Sequence, residues 1–334
     1  MKKQTSTPLC LDEQKQFSKE NYRVLCQTEV LIPIFSRDWW LDAVCSDAWD
    51  VCLVEKGGVI VASMPYHLTK TRLGMKVLSH PNLTQTLGPW LRQSGAKYAN
   101  RLGQEKELLT ELIDQLPEFD YFNQNWHHVN TNWLPFYWSG FQQTTRYTYI
   151  LPDISDLDKV WAGFRENIRG DIRKASNRFK LRVRNDLSMD EFLSLNIQTF
   201  ARQGMDLPYS NEFLNRIDTA CLANNARQIF IAEDEQGRHH AGVYIIWDQN
   251  SAYYIMGGGD PELRSSGATS LCMWEAIKFA STVTRSFDFE GSMMEPIERF
   301  VRAFGAIQTP YFSISKTTSR YLRIRNLLSG LVQS

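Results

Sequence analysis

The residues best suited to chemistry lie in the last third of the chain, where a strand, a glycine run and a small-residue loop follow one another. Residues 251–256 (SAYYIM) predict a strand, residues 257–261 (GGGDP) predict a turn, and residues 264–269 (RSSGAT) precede a helical pattern. Backbone N–H groups at a helix start are unpaired and lie at the positive end of the helix dipole, which suits a pyrophosphate. We therefore expect an anionic cofactor here. The residues assigned to it are Met256, Gly257, Gly258, Arg264, Ser266, Gly267, Ala268 and Thr269.

Two carboxylates, Asp288 and Glu290, stand in the segment FDFEG at residues 287–291, which predicts a strand. Residues two apart on a strand point to one face, so the two carboxylates should lie side by side. A carboxylate whose pKa is raised by burial can take the proton from an attacking ammonium, and we assign Asp288 or Glu290 to that catalytic role. Glu290 is favoured because it is nearer the end of the strand. The alternative is that one of them only pairs with Arg285 or Arg299.

Eight basic residues crowd into residues 165–184, which contain only two acids. Arg165, Arg169 and Arg173 recur every four residues, so they share one stripe of a predicted helix and could hold a diphosphate through bidentate contacts. The alternative is a solvated helix face whose long side chains reach into water. The residues assigned to an anionic acceptor substrate are Arg165, Arg169, Arg173 and Lys174, together with Tyr254 on the strand before the glycine run.

The elements that must position these residues follow from residue 157 onward. Apolar residues at steps of three and four predict one amphipathic helix over residues 157–179. Capping signals at Ser188 and Ser210 predict two further helices. Then follow three antiparallel strands (228–233, 241–247, 252–256), a helix over 268–282, a strand over 286–290, a helix over 296–304 and a strand over 311–315.

This order of elements is that of the GCN5-related N-acetyltransferase (GNAT) fold. The loop Arg264-x-x-Gly267-x-Thr269 resembles that family's pyrophosphate loop, Gln/Arg-x-x-Gly-x-Gly/Ala, at its first two fixed positions, and Thr269 departs from the third. Residues 20–150 resemble a second, degenerate copy without the loop, and two tandem copies are similar to the FemAB-like transferases. The segments FDFEG, IERF and FG within residues 287–305 and the basic helix over 160–174 also resemble that family, although Val301 stands where its lysine is usual.

The resemblance implies an α/β (α+β) protein of two tandem GNAT-like domains, each a mixed, mostly antiparallel sheet flanked by helices. It implies an N-acyltransferase that moves an acyl group, most simply acetyl, from acyl-coenzyme A to an amine on a sugar nucleotide or cell-envelope precursor. One alternative keeps the fold but uses aminoacyl-tRNA as the donor. Another is a non-catalytic protein that binds an anionic ligand.

The length of the chain and its net charge limit the number of domains and the kinds of partner that we expect. A chain of 334 residues, 43% of them hydrophobic, is long enough for two domains. We expect a tail over residues 1–19, the degenerate domain over 20–150, the domain with the loop over 151–316 and a basic tail over 317–334. Lysine plus arginine and aspartate plus glutamate both number 37, so no overall field attracts nucleic acid. The expected partner is a small-molecule or lipid-linked sugar or peptide acceptor, with tRNA less favoured and DNA not expected.

Targeting and metal motifs are missing from the sequence. No apolar run approaches the roughly 18 residues of a membrane span, and the N-terminal residues do not lead into a signal-peptide core, so we expect a cytoplasmic protein. The six cysteines and six histidines form no CxxC or HExxH pattern, so no metal is expected.

Overall fold

The computed structural model describes residues 11–291 and 293–322, with side chains from residue 18 onward. Contacts between Cα atoms divide the described residues into two compact units: residues 11–145 with residues 311–322 form the first, and residues 146–291 with residues 293–310 form the second. Residues 311–316, which the sequence analysis placed in the second domain, therefore group with the first unit. The predicted C-terminal tail lies outside the described residues from position 323 onward.

Ten α-helices and twelve strands are described. The first unit contains α1 (Leu11–Thr28), α2 (Asp38–Cys45), β1 (Trp49–Lys56), β2 (Val59–Lys70), β3 (Lys76–Leu78), β4 (Trp90–Leu91), α3 (Tyr98–Asp114), β5 (Tyr121–Asn125) and α4 (Leu134–Trp138). Then come β6 (Gln142–Leu151), α5 (Leu157–Gly163), α6 (Glu166–Arg173), β7 (Arg182–Arg184), α7 (Met189–Arg202), α8 (Asn211–Ala223), β8 (Arg227–Glu233), β9 (His239–Trp247), β10 (Ser251–Gly259), α9 (Ala268–Ala280), β11 (Ser286–Asp288), α10 (Glu295–Arg302) and β12 (Ile307–Thr317). None of the described helices is long and apolar enough to cross a membrane.

The first unit is a mixed sheet with helices packed on it. Strand β2 pairs antiparallel with β1, β3 and β4. Strand β5 pairs parallel with β3 and antiparallel with the end of β12. The hairpin of β1 and β2 turns at Gly57 and Gly58, both of which have positive φ. Helix α1 begins at Leu11, inside the segment that the sequence predicted to be a tail.

The second unit has a mostly antiparallel sheet with helices on both faces. Strands β7, β8, β9 and β10 form an antiparallel meander, β10 pairs parallel with β11, and β11 pairs antiparallel with β6. Val243 and Ile245 belong to a core that includes Ile168 of α6. Tyr244, which points the other way, has its ring centroid 5.8 Å from that of Phe192 on α7. The order of elements is the one expected from the sequence.

The predicted single helix over residues 157–179 is wrong, because the chain breaks into α5, α6 and a π-type turn over Lys174–Arg178. Phe164 and Arg165 are extended between the two helices, with ψ of 141° and 154°. Phe164 is buried with its ring 5.2 Å from that of Phe304, and the backbone N–H of Arg165 donates to the carbonyl of Ala303. Tertiary contacts therefore outweigh the continuous helical pattern.

The glycine run was predicted to be a turn, and this is also wrong. Gly257, Gly258 and Gly259 form the end of β10, paired with Val243, Gly242 and Ala241 of β9. A Cβ on Gly258 would lie 2.5 Å from the backbone nitrogen of Asn196, so glycine is needed for α7 to rest directly on the strand.

Substitution of Gly258 by alanine is expected to destabilise the fold, since the new methyl group meets backbone rather than a movable side chain. We expect a loss of about 1–3 kcal/mol in the free energy of unfolding, measured by urea denaturation. Gly170→Ala on α6 is the matched control, because nothing surrounds that position within 4 Å. There alanine should stabilise by about 0.5–1 kcal/mol through helix propensity, and equal effects at the two positions would contradict the packing described.

Candidate active site

No side chain caps the N-terminus of α9, and the same is true of α6 and α10. Asp156, Ser188 and Ser210 cap α5, α7 and α8 through hydrogen bonds to backbone N–H groups. The N-cap of α9 is Gly267, which has φ of 84° and no capping side chain. The backbone N–H of Ala268 donates to the Ser266 hydroxyl at 3.4 Å, and the other N–H groups of the first turn have no side-chain acceptor among the described residues. They lie at the positive end of the helix dipole.

The loop before α9 packs directly against α6. A Cβ on Gly267 would lie 2.3 Å from the backbone oxygen of Asp171, and the left-handed φ already favours glycine. Any side chain at this position would disturb the backbone itself, so its substitution cannot separate ligand binding from folding. Arg264 is exposed in the short 3-10 helix over Arg264–Ser266, and no acid among the described residues pairs with it.

The cations assigned to the acceptor are mostly paired with acids of their own helix. Arg169 and Arg173 both bind Glu166, at 2.9 Å each, and Lys174 lies 2.8 Å from Asp171. The hydrogen bond from Arg169 is the largest cause of the lowered pKa of Glu166. Arg165 lies at the N-cap rather than within the helix, is exposed, and has no acidic partner in the part of the chain described. Of the four cations it is the one most available to an anion.

The predicted strand over residues 286–290 ends at Asp288, so Asp288 and Glu290 do not share a strand face. Asp288 is only 7% exposed, and its Oδ1 accepts hydrogen bonds from the Thr148 hydroxyl and from the backbone N–H of Glu290, the latter at 2.7 Å. The backbone N–H of Gly291 donates to Thr148 Oγ1 at 3.0 Å. Asp288 and Thr148 together hold the turn that follows β11.

Burial is the largest cause of the raised pKa of Asp288, which is about 6, and the two hydrogen bonds from Thr148 and Glu290 oppose it. Among the described residues, Asp288 does not form the ion pair with Arg285 or Arg299 that the sequence left open. Its oxygen is committed to the turn, so it is better suited to positioning than to contact with a substrate.

Glu290 has a left-handed backbone with φ of 51°, a conformation that is costly for a residue other than glycine. Both of its carboxylate oxygens are buried. Tyr209 directly precedes the N-cap of α8. Its pKa is raised mainly by burial and, to a smaller extent, by the negative charge of Glu290. The Glu290 carboxylate thus lies within electrostatic reach of Tyr209.

Strand β11 pairs with β10 over all three of its residues and then ends, whereas β10 continues to Gly259. The last parallel pair joins Tyr253 to Asp288, and the register with β9 shifts between Tyr254 and Met256. Because the two strands are parallel, Glu290 and the far half of β10 lie beyond the same end of the paired region. Tyr254 is half-buried, burial raises its pKa to about 12, and its hydroxyl lies against Gly257.

Three polar residues at this site were missed by the sequence analysis. Thr148 supports Asp288, while Asn196 and Thr199 of α7 bond to the glycine end of β10. Each lies at least 60 positions from its partner along the chain. No local motif marks them, so only the fold could reveal these contacts.

Comparison with known families assigns the segment that contains most of this site. Residues 162–295 match the model of the acetyltransferase (GNAT) domain. No curated protein sequence matches the chain.

Solved structures show the same fold over almost the whole chain. FemX is 13% identical with a TM-score of 0.67, covering 88% of this chain and 95% of its own. L-PGS from Bacillus licheniformis is 12% identical with a TM-score of 0.53, covering 94% and 95%. A tandem GNAT protein from the clavulanic acid biosynthesis pathway is 10% identical with a TM-score of 0.50, covering 94% and 98%. The chain therefore has the fold of FemX, and its residues 162–295 match the acetyltransferase (GNAT) domain.

Proposed function

We propose that the protein transfers an acyl group, most simply acetyl, from acyl-coenzyme A to an amine on a sugar nucleotide or cell-envelope precursor. The observation that carries this proposal is the uncapped N-terminus of α9, which follows a left-handed glycine inside the segment that matches the GNAT domain. Among the described residues, the Ser266 hydroxyl, 3.4 Å from the N–H of Ala268, is the one side-chain acceptor for the backbone N–H groups of this loop. A diphosphate is the ligand that this arrangement suits best.

The donor would bind through its pyrophosphate to the N–H groups at Gly267, Ala268 and Thr269, with Arg264 as a nearby cation. Ser266 supports this loop, because its hydroxyl accepts the backbone N–H of Ala268 at 3.4 Å. Met256, Gly257 and Gly258 lie on the stretch of β10 that continues beyond the last residue paired with β11. That stretch would take the acyl-bearing arm of the donor.

Transfer requires one proton to leave the attacking amine. The amine nitrogen attacks the thioester carbonyl carbon, a C–N bond forms, and the C–S bond breaks as the thiolate leaves. Glu290 would accept the amine proton, and the released thiolate would take up a proton from this carboxyl or from water. Asp288 and Thr148 would hold the turn that presents Glu290.

A second candidate keeps the fold and uses aminoacyl-tRNA as the donor. It is favoured by Arg178, Lys180 and Arg182, which are exposed and have no acidic partner among the described residues. These cations follow α6 along the chain and extend the basic surface as far as the edge strand β7. Calorimetry with acetyl-coenzyme A and with a charged tRNA pool separates the two candidates, because only one donor should bind with micromolar or tighter affinity.

Thr269→Asp tests the donor loop without disturbing the fold. An aspartate in the first turn of α9, which has no acid there, should stabilise the helix by about 0.3–1 kcal/mol through the dipole. The same charge should repel a pyrophosphate and weaken acetyl-coenzyme A binding by at least about tenfold. Binding is measured by calorimetry and stability by thermal unfolding. Thr269→Asn is the neutral control, and equal affinities for the two variants would contradict the assignment of the loop.

Glu290→Gln is expected to lower kcat by about 10²- to 10⁴-fold, the usual contribution of a general base. Asp288→Asn should have a smaller effect, because the amide oxygen can still accept from Thr148 and from the backbone of Glu290. Rates with acetyl-coenzyme A and an amine acceptor, measured across pH, compare the two variants. A near-normal rate for Glu290→Gln would assign the proton to water or to another group.

Stability across pH provides the control for Asp288. Its folded-state pKa of about 6 lies above the ordinary value of 3.8, so the folded state binds this proton more tightly than the unfolded state does. The resulting stabilisation is complete below about pH 4 and is lost as pH rises through 6. Between pH 4 and pH 7 the wild type should therefore lose on the order of 3 kcal/mol relative to Asp288→Asn, which does not titrate. If the difference in the free energy of unfolding between the wild type and Asp288→Asn does not change with pH, this carboxyl is not buried in solution.

Arg165→Ala tests the acceptor site at the cation that has no acidic partner among the described residues. The acceptor KM should rise at least about fivefold, while acetyl-coenzyme A affinity and melting temperature stay close to those of the wild type. Arg72→Ala is the matched control, since Arg72 in the first unit is also an exposed cation without an acidic partner in the described ranges. If Arg165→Ala weakens acetyl-coenzyme A binding instead, then α6 serves the loop containing Gly267, which packs against that helix.

A further inference from the structure

Helix α7 is bonded to the glycine end of β10 by two side chains. Asn196 Nδ2 donates to the carbonyl oxygen of Gly257 at 2.7 Å, and the backbone N–H of Gly259 donates to Thr199 Oγ1 at 2.9 Å. Between them, Gly258 leaves no room for a Cβ against the backbone of Asn196. We call Asn196 and Thr199 the α7 clamp.

The clamp acts on the open edge of the strand. In the described part of the chain, β10 pairs with β11 only as far as Tyr253, and beyond it pairs with β9 alone. Residues two apart on a strand direct their backbone groups to the same edge, and those of Gly257 and Gly259 bond to α7 rather than to β9. The clamp therefore satisfies groups that a neighbouring strand would otherwise hold.

Three consecutive glycines at an open edge have little conformational preference of their own. Without a second strand beside them, their extended form must be maintained by other contacts. Asn196 and Thr199 supply those contacts on the stretch of β10 that leads to the loop before α9.

Asn196 is an unfavourable choice for stability alone. It is only 3% exposed, and its Oδ1 has no hydrogen-bond partner among the described residues. A buried acceptor without a partner is destabilising, whereas an apolar side chain of the same size would avoid that loss. The amide at this position is thus better explained by the strand it holds than by the stability of the helix.

We propose that Asn196 and Thr199 are positioning residues that keep the open edge of β10 extended, so that the donor meets a preformed cleft between β10 and β11. This inference rests on the proposed function, because it takes the stretch after Tyr253 to be the place of the acyl-bearing arm. The α7 clamp would make the open edge of β10 rigid, and it would not contact the reacting atoms.

Thr199→Val removes the hydroxyl and keeps the shape, and Thr199→Ser restores the hydroxyl. Hydrogen exchange of the segment containing Gly259, read by mass spectrometry, should become at least about fivefold faster in Thr199→Val and return towards the wild-type rate in Thr199→Ser. The dissociation constant of acetyl-coenzyme A should rise by a similar factor in Thr199→Val alone. Ser194→Ala, at an exposed position on the same helix, should change neither quantity.

Asn196→Leu gives an independent test because a structural role and a positioning role predict different results. The melting temperature should change little, since removal of the unpartnered Oδ1 offsets the loss of the hydrogen bond to the Gly257 carbonyl, while the acetyl-coenzyme A dissociation constant rises at least about fivefold. The inference is overturned if the wild type binds acetyl-coenzyme A and both variants bind it equally well or more tightly, or if Thr199→Val leaves exchange at Gly259 unchanged. Failure of the wild type to bind acetyl-coenzyme A would instead overturn the proposed donor, and the exchange measurement would still decide whether the clamp exists in solution.

Discussion

The early end of β11, after three residues paired with β10, is the constraint on which the candidate site in the second unit depends. Buried backbone groups must find hydrogen-bond partners, so a strand that continues beyond its neighbour leaves an edge that other groups have to satisfy. On β10 the partners are side chains of α7, and beyond β11 the turn is held by Asp288 and Thr148. At the candidate site, side chains therefore make the hydrogen bonds to the backbone that a neighbouring strand would make in a continuous sheet.

Strain and burial are concentrated at the same place. Glu290 has a left-handed backbone, and Asp288 is a buried carboxyl with a raised pKa. Both features are unfavourable on their own and persist because the surrounding contacts determine them. Asp288 accepts the N–H of Glu290, so the two carboxylates have different tasks although they are close in sequence. The buried carboxyl maintains the geometry, and its neighbour is the one that we propose for proton transfer.

Charge is distributed locally rather than over the whole chain. Acids and bases are equal in number, yet the N-terminus of α9 has no acid in its first turn and Arg264 is exposed beside it. On α6, Glu166 and Asp171 pair with three of the four cations assigned to the acceptor. Exposed pairs of this kind contribute little to stability and are readily exchanged for a ligand phosphate. Arg165 offers its charge without that competition.

The sequence alone determined the features that depend on neighbouring residues. The capping box at Ser188, the cap at Ser210, the meander of β8 to β10 and the glycine before α9 are local patterns, and the structure contains each of them. The assignment of residues to donor and acceptor stays a prediction. Tertiary structure alone decided the break at Phe164, the extended glycine run and the turn at Glu290, because distant residues impose these conformations: Phe304 and Ala303 on the first, Asn196 and Thr199 on the second, and Thr148 on the third. Periodicity and propensity describe what a segment prefers by itself, and at these three places the contacts made on folding outweigh that preference.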